Sequence, residues 1–141
     1  MGVLKDKDKD KVKEIFKDIV DNVVIVMFTQ EHECPHCEMT RVMLEEVSGL
    51  SDKISLEVHD FVAEKDLAAK YGVDKIPATV LVGDKDYGIR FYGVPAGYEF
   101  TVLIEEIKEV GKRDPGLSKE VMTELDKVDT PVHLQVLISP T

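Results

Sequence analysis

Seven consecutive residues, "VVIVMFT" from Val23 to Thr29, are β-branched or apolar with no charge among them. A run this short is a strand, and one without alternation is a strand buried on both faces. Covering both faces takes helices, so the run points to an α/β sheet with this strand near its centre.

The rest of the chain supplies those helices and further strands. Val12, Ile15, Phe16, Ile19 and Val20 fall at helical spacing, behind a run of alternating Lys and Asp that reads as a solvated first turn or frayed end. After the central strand, Pro35 suits the first turn of a helix, and Met39, Val42, Met43 and Val47 line one face of it up to Gly49. Residues 54–61 alternate as a strand, and a short helix over 64–71 ends at Gly72.

Then come "KIPAT", a strand over 79–82, the turn "GDKDYG" and a return strand over 89–92. Phe100, Leu103, Ile104 and Ile107 predict a helix starting near Tyr98 and closing at Gly111. "KRDPG" has the breaker residues of a linker, a helix follows from Ser118, and "VHLQVLI" over 132–138 alternates as a last strand. A strand must pair, so this one is expected either to join the chain's own sheet or to pair with another chain. The closing helix and strand echo the opening ones.

Charge narrows the function classes. The 141 residues carry a formal net charge of -10 with acids and lysines interleaved, whereas phosphate binding needs a basic face, so nucleic acid is not an expected partner. No apolar stretch approaches the roughly 20 residues of a membrane-spanning helix, and the N-terminus has no leader pattern. The expected location is the cytoplasm, where structural disulfides are rare outside hyperthermophiles. A single Asn (Asn22) and two Gln (Gln30, Gln135) match the amide-poor composition of proteins working at high temperature.

The only two cysteines stand in "HECPHCEM". Three readings fit: a redox pair, a metal site that draws on His32, Cys34, His36 and Cys37 for zinc or an iron-sulfur cluster, and two inert thiols. Zinc sites usually take two separated ligand pairs, and a Pro after the first Cys starts a helix rather than a knuckle, which favours redox chemistry. In that reading Cys34, beside a helix N-terminus, is the attacking thiol with a lowered pKa, and Cys37 resolves the mixed disulfide. Pro35 and His36 tune the pair, while Glu31, Glu33 and Glu38 oppose a thiolate. Pro77 in "KIPAT" is where a cis peptide is expected, aiming the backbone of Ile76 at a substrate strand. His59 and His133 have no assigned chemistry, and Met27, Met39 and Met43 read as core filling.

"CPHC" after a central strand, with "IPAT" some 40 residues later before a hairpin and closing helix, resembles the thioredoxin and glutaredoxin superfamily. Within it, "YGVPAGYEF" followed by "VHLQVLISPT" is similar to the N-terminal unit of thermophilic and archaeal protein disulfide oxidoreductases, which carry two thioredoxin-like units in tandem.

The resemblance implies a thioredoxin-like fold, with a mixed four-stranded sheet between helices over residues 1–112. Residues 113–141 would be a linker, a helix and the first strand of an incomplete second unit, ending just short of that unit's own C-x-x-C. It also implies a thiol-disulfide oxidoreductase whose redox group is the Cys34–Cys37 disulfide, with no other cofactor and no metal. Its partners would be protein thiols and disulfides, with a thioredoxin-reductase-like flavoprotein as electron donor. A non-catalytic binding module of the same fold is the other class, and it predicts no loss of activity when Cys34 is replaced.

Two departures stand out. Met27 or Phe28 occupies the place of the buried Asp of thioredoxins, and the Pro-His dipeptide is that of the bacterial oxidant DsbA. The potentials of those two proteins differ by about 150 mV, roughly 7 kcal/mol.

Overall fold

The computed structural model describes residues 2–139. Its elements run α1 (Asp6–Phe16), β1 (Val23–Thr29), α2 (Cys37–Ser48), β2 (Ile54–Asp60), α3 (Lys65–Lys70), β3 (Ala78–Val82), β4 (Asp86–Tyr92), α4 (Tyr98–Lys112) and α5 (Lys119–Leu125). The four strands form one mixed sheet in the order β2-β1-β3-β4. β1 pairs in parallel with β2, and antiparallel with β3, setting Phe28 opposite Ala78. β3 and β4 form a hairpin with an irregularity between Val80 and Val82. This is the thioredoxin-like arrangement the resemblance implies.

β1 is the pillar its sequence predicts. Val23, Ile25 and Met27 pack with Val12 and Phe16 of α1, Leu44 of α2, and Leu103 and Ile107 of α4. Val26 and Phe28 face the other way, onto Ala68 of α3, Val73 and Val80. Burial of this apolar surface on both faces is the main stabilising term, at about 25 cal/mol per Å² removed from water.

Several details depart from the sequence expectation. The Lys/Asp run does form the solvated start of α1, with Asp6 and Asp8 at the positive end of the helix dipole, but the helix stops at Phe16, so Val20 is exposed. Met39 does not fill the core: it is 53% exposed, because α2 turns Thr40, Met43, Leu44 and Val47 inward. The return strand begins at Asp86, giving a tighter hairpin than "GDKDYG".

Gly111 does not close α4. It lies inside the helix, and the left-handed residue that ends it is Arg113. A Cβ at Gly111 would come within 2.6 Å of Ile19 Cγ2, and its carbonyl accepts the amides of Val20 and Asp21 at 3.2 and 3.0 Å. The glycine is there for close approach between α4 and the α1–β1 connection.

The largest correction concerns the C-terminal strand. Residues 132–138 form no strand, and each is exposed. Neither edge of the sheet, β2 or β4, takes them up, so within this chain their alternation has no ladder to join. α5 does form; Ser118 caps it by accepting the Val121 amide at 3.3 Å, but no residue of α5 is buried.

At the opposite end, Glu46 of α2 ties down the N-terminal segment by accepting the amides of Val3 and Leu4 and pairing with Lys9 at 3.3 Å. Burial pushes this carboxyl up, yet the two amides and the ammonium outweigh it and hold it below its ordinary value.

Candidate active site

The chain leaves β1 at Thr29, runs through residues 30–36 and enters α2. Glu33 adopts a left-handed conformation, with φ 57°, which swings the following turn over the end of the sheet. Cys34 to Cys37 form that turn, closed by the Cys37 amide donating to the Cys34 carbonyl at 3.2 Å. Pro35 occupies its second position, where a fixed φ near −65° suits a type I turn. The helix thus starts two residues later than Pro35 implies: His36 is the N-cap and Cys37 the first helical residue.

Cys34 and Cys37 are joined as a disulfide, with Cα atoms 5.4 Å apart. The two sulfur-bearing residues differ in access: Cys37 is 3% exposed, whereas Cys34 is only partly buried. His36 is exposed and makes no side-chain cap; its carbonyl instead accepts the amide and the hydroxyl of Thr40, at 3.1 and 2.9 Å. Thr40 is fully buried, so this hydroxyl pins the turn to the first turn of α2.

The Ile76–Pro77 peptide bond is cis. Extending the β1–β3 register by one step from Phe28 and Ala78 sets Pro77 level with Thr29, at the same end of the sheet as the cysteine turn. Its carbonyl accepts the Gly93 amide at 2.9 Å, tying it to the end of β4. Beneath this end of the sheet Met27 and Phe28 are both fully buried. Across from Met27, the Thr79 hydroxyl is, among the described residues, the buried side-chain polar atom without a hydrogen-bond partner.

The sulfurs border a cavity of about 410 Å³ whose wall includes Glu31, Glu38, Arg41 and Asp60. Arg41 pairs with Glu45 at 2.9 Å. Asp60 Oδ1 accepts the amides of Val62 and Ala63 at 2.9 and 2.8 Å. A cavity of about 320 Å³ between α1 and the residues preceding β2, lined by Lys13, Phe16 and Leu50 among others, lies at the other end of the strands and brings no reactive sulfur.

Thr40, Arg41 and Asp60 were not singled out by the sequence; a Thr three residues past the second Cys, able to bond back to the turn, was the available signal for the first. His32 is exposed. His59 packs against Phe28 and lies between Glu57 and Glu64, and it is not among the residues lining the sulfur cavity. Among the described residues no group of three or more His, Cys, Asp or Glu converges as a metal cage.

Comparison with known proteins places this geometry. The family model described as Thioredoxin matches residues 6–107. A thioredoxin of Methanocaldococcus jannaschii is 30% identical over 64% of this chain and 98% of its own. The N-terminal domain of the alkylhydroperoxide reductase AhpF of Enterococcus faecalis superposes with a TM-score of 0.80 at 23% identity, over 86% of this chain and 59% of that one. A protein disulfide oxidoreductase of Aeropyrum pernix superposes with 0.78 at 21% identity, over 90% and 57%. At such identities the two superpositions show a shared fold. This chain spans 22% of a longer curated relative that matches 89% of it.

Proposed function

The chain belongs to the thioredoxin family, and from that premise we propose that it is a thiol-disulfide oxidoreductase that exchanges disulfides with protein substrates through Cys34 and Cys37. The observation that carries this is the unequal access of the two cysteines in one turn at the end of the central strand.

From the dithiol form, the Cys34 thiolate attacks one sulfur of a substrate disulfide. A mixed disulfide forms and the other substrate sulfur leaves as a thiolate. Cys37, having given up its proton, then attacks Cys34 Sγ, releasing the second substrate thiolate. Two electrons pass to the substrate, and the protein is left as the Cys34–Cys37 disulfide. Run backwards, the same steps oxidise a substrate dithiol.

The surrounding residues have assigned parts. Pro35 sets the turn and Thr40 fixes it to α2, so Cys37 stays within reach of Cys34 after the disulfide opens. His36, when protonated, stabilises a thiolate at Cys34. Ile76 and Pro77 offer backbone at the same end of the sheet, where a substrate strand can lie beside the sulfur. With Met27 and Phe28 filling the space under the site, the proton of Cys37 leaves by water in the adjoining cavity rather than through a buried carboxylate. The family supplies the rest of this reading: cytoplasmic location and a thioredoxin-reductase-like flavoprotein as electron source.

Insulin reduction driven by dithiothreitol tests it. Cys34→Ser should abolish the catalysed rate, and Cys37→Ser should accumulate a mixed disulfide visible by non-reducing electrophoresis. Full activity in Cys34→Ser would overturn the assignment, and a parent protein no faster than dithiothreitol alone would favour a non-catalytic binding module.

A further inference from the structure

The cavity beside the sulfurs is lined by three carboxylate residues, Glu31, Glu38 and Asp60, against one cation, Arg41. Glu31 and Glu38 line it, and Glu33 immediately precedes Cys34; all three are exposed. None of their carboxylates takes part in an ion pair or hydrogen bond among the described residues. That is unlike much of this acidic surface, where Glu14 holds Lys17, Glu46 holds Lys9, Asp86 holds Arg90 and Glu105 holds Lys108. Arg41, the cation lining the cavity, is neutralised by Glu45, and Asp60 adds a further carboxylate. A disulfide brought to Cys34 therefore meets uncompensated negative charge within one or two side-chain lengths.

We propose, building on the exchange reaction above, that this wall selects substrates by charge: the preferred disulfides carry Lys or Arg beside the sulfur that Cys34 attacks, and anionic disulfides such as that of glutathione are disfavoured. Glu31, Glu33 and Glu38 are the specificity-determining residues. A carboxylate about 10 Å from a substrate cation changes the encounter roughly twofold in water. Three acting together, partly screened at low salt, give about fivefold in favour of a cation and about fivefold against an anion.

Three small disulfides separate the terms: cystamine (cationic), bis(2-hydroxyethyl) disulfide (neutral) and dithiodipropionate (anionic). The reduced protein is mixed with each at pH 8, above the ordinary imidazole range, and its conversion to the Cys34–Cys37 disulfide is followed by acid quench and mass spectrometry. Each rate is divided by that of dithiothreitol with the same compound, which removes intrinsic reactivity.

The normalised cationic-to-anionic ratio should be roughly twentyfold in 10 mM salt and fall below about twofold in 1 M salt. The triple variant Glu31→Gln, Glu33→Gln, Glu38→Gln should lower it to about twofold in 10 mM salt, while the neutral compound still reacts. If the neutral compound oxidises the dithiol but the three normalised rates agree within twofold, or the triple variant keeps the parent ratio, the charge selection is overturned. If no disulfide oxidises the dithiol, the exchange reaction itself is wrong.

Discussion

Replacing Gly111 by Ala gives a sharp test of the packing, because two opposing effects meet at one atom. In a helix interior Ala is favoured over Gly by about 1 kcal/mol, so a glycine at this helical position with open space beside it would be improved by the change. The structure requires the opposite. The new methyl would lie 2.6 Å from Ile19 Cγ2, 3.1 Å from Val23 Cγ2 and 3.2 Å from Ile19 Cγ1. Val23 is fully buried at the start of the central strand and Ile19 is 4% exposed, so the methyl must displace packed side chains. Overpacking of this kind costs about 1–3 kcal/mol.

The carbonyl of the same residue holds the Val20 and Asp21 amides, so relief by shifting the helix would stretch two hydrogen bonds. The expected net loss is about 1–2 kcal/mol, or a fall in Tm of roughly 4–8 °C for a domain of this size. Urea unfolding followed by circular dichroism should show the midpoint falling with an unchanged slope. Ile19→Ala alone should cost about 2–4 kcal/mol, and the double variant should lose at least about 1 kcal/mol less than the sum of the two single losses, since one methyl occupies room the other side chain vacated. A Gly111→Ala protein as stable as the parent, or more so, would refute the close approach.

Other expectations concern charge and the chain end. Asp86 receives hydrogen bonds from Arg90, which lower its carboxyl; burial opposes this and the Gly88 amide assists. A depressed carboxyl adds stability above its unfolded value and loses it as pH falls through the folded one. Asp86→Asn should therefore cost about 0.5–1 kcal/mol at pH 7, a figure kept small because the pair is partly solvated, and the gap should close in acid thermal melts. The same sign applies to Glu46: Glu46→Gln should lower the hydrogen-exchange protection factors of Val3 and Leu4 at pH 7, and acidification of the parent should lower them likewise once the intrinsic rates are divided out. Deleting residues 114–141 should leave Tm within about 2 °C, because 114–139 are exposed throughout; a changed mass in light scattering would instead reveal pairing with a second chain.

The elements easiest to read were those whose physics is local. An uninterrupted apolar run made β1, a C-x-x-C beside it made the candidate site, and the proline of "KIPAT" marked where the chain returns to that end of the sheet. Harder were features set by what lies across a contact. Gly111 carries the same local signal whether it ends a helix or lets one approach a neighbour, and only Ile19 and Val23 distinguish the two. Met39 shares helical spacing with Met43 but falls off the buried stripe by one step. Residues 132–138 alternate as a strand does, yet alternation does not provide a partner. Asp60 and Arg41 come from different elements to one cavity wall, a coincidence of topology that no spacing announces.

β1 is held on both sides, by β2 along its whole length and by β3 over Val24 to Phe28. The chain thus enters the sulfur turn from a stationary frame. Opening and closing the disulfide then rearranges a turn of a few residues at the rim, while the hydrogen-bonded strand behind it is common to both redox forms. Little reorganisation accompanies each electron pair. Amide exchange along β1 would be equally slow in the dithiol and the disulfide, so a partner that tells the two forms apart must read the turn itself.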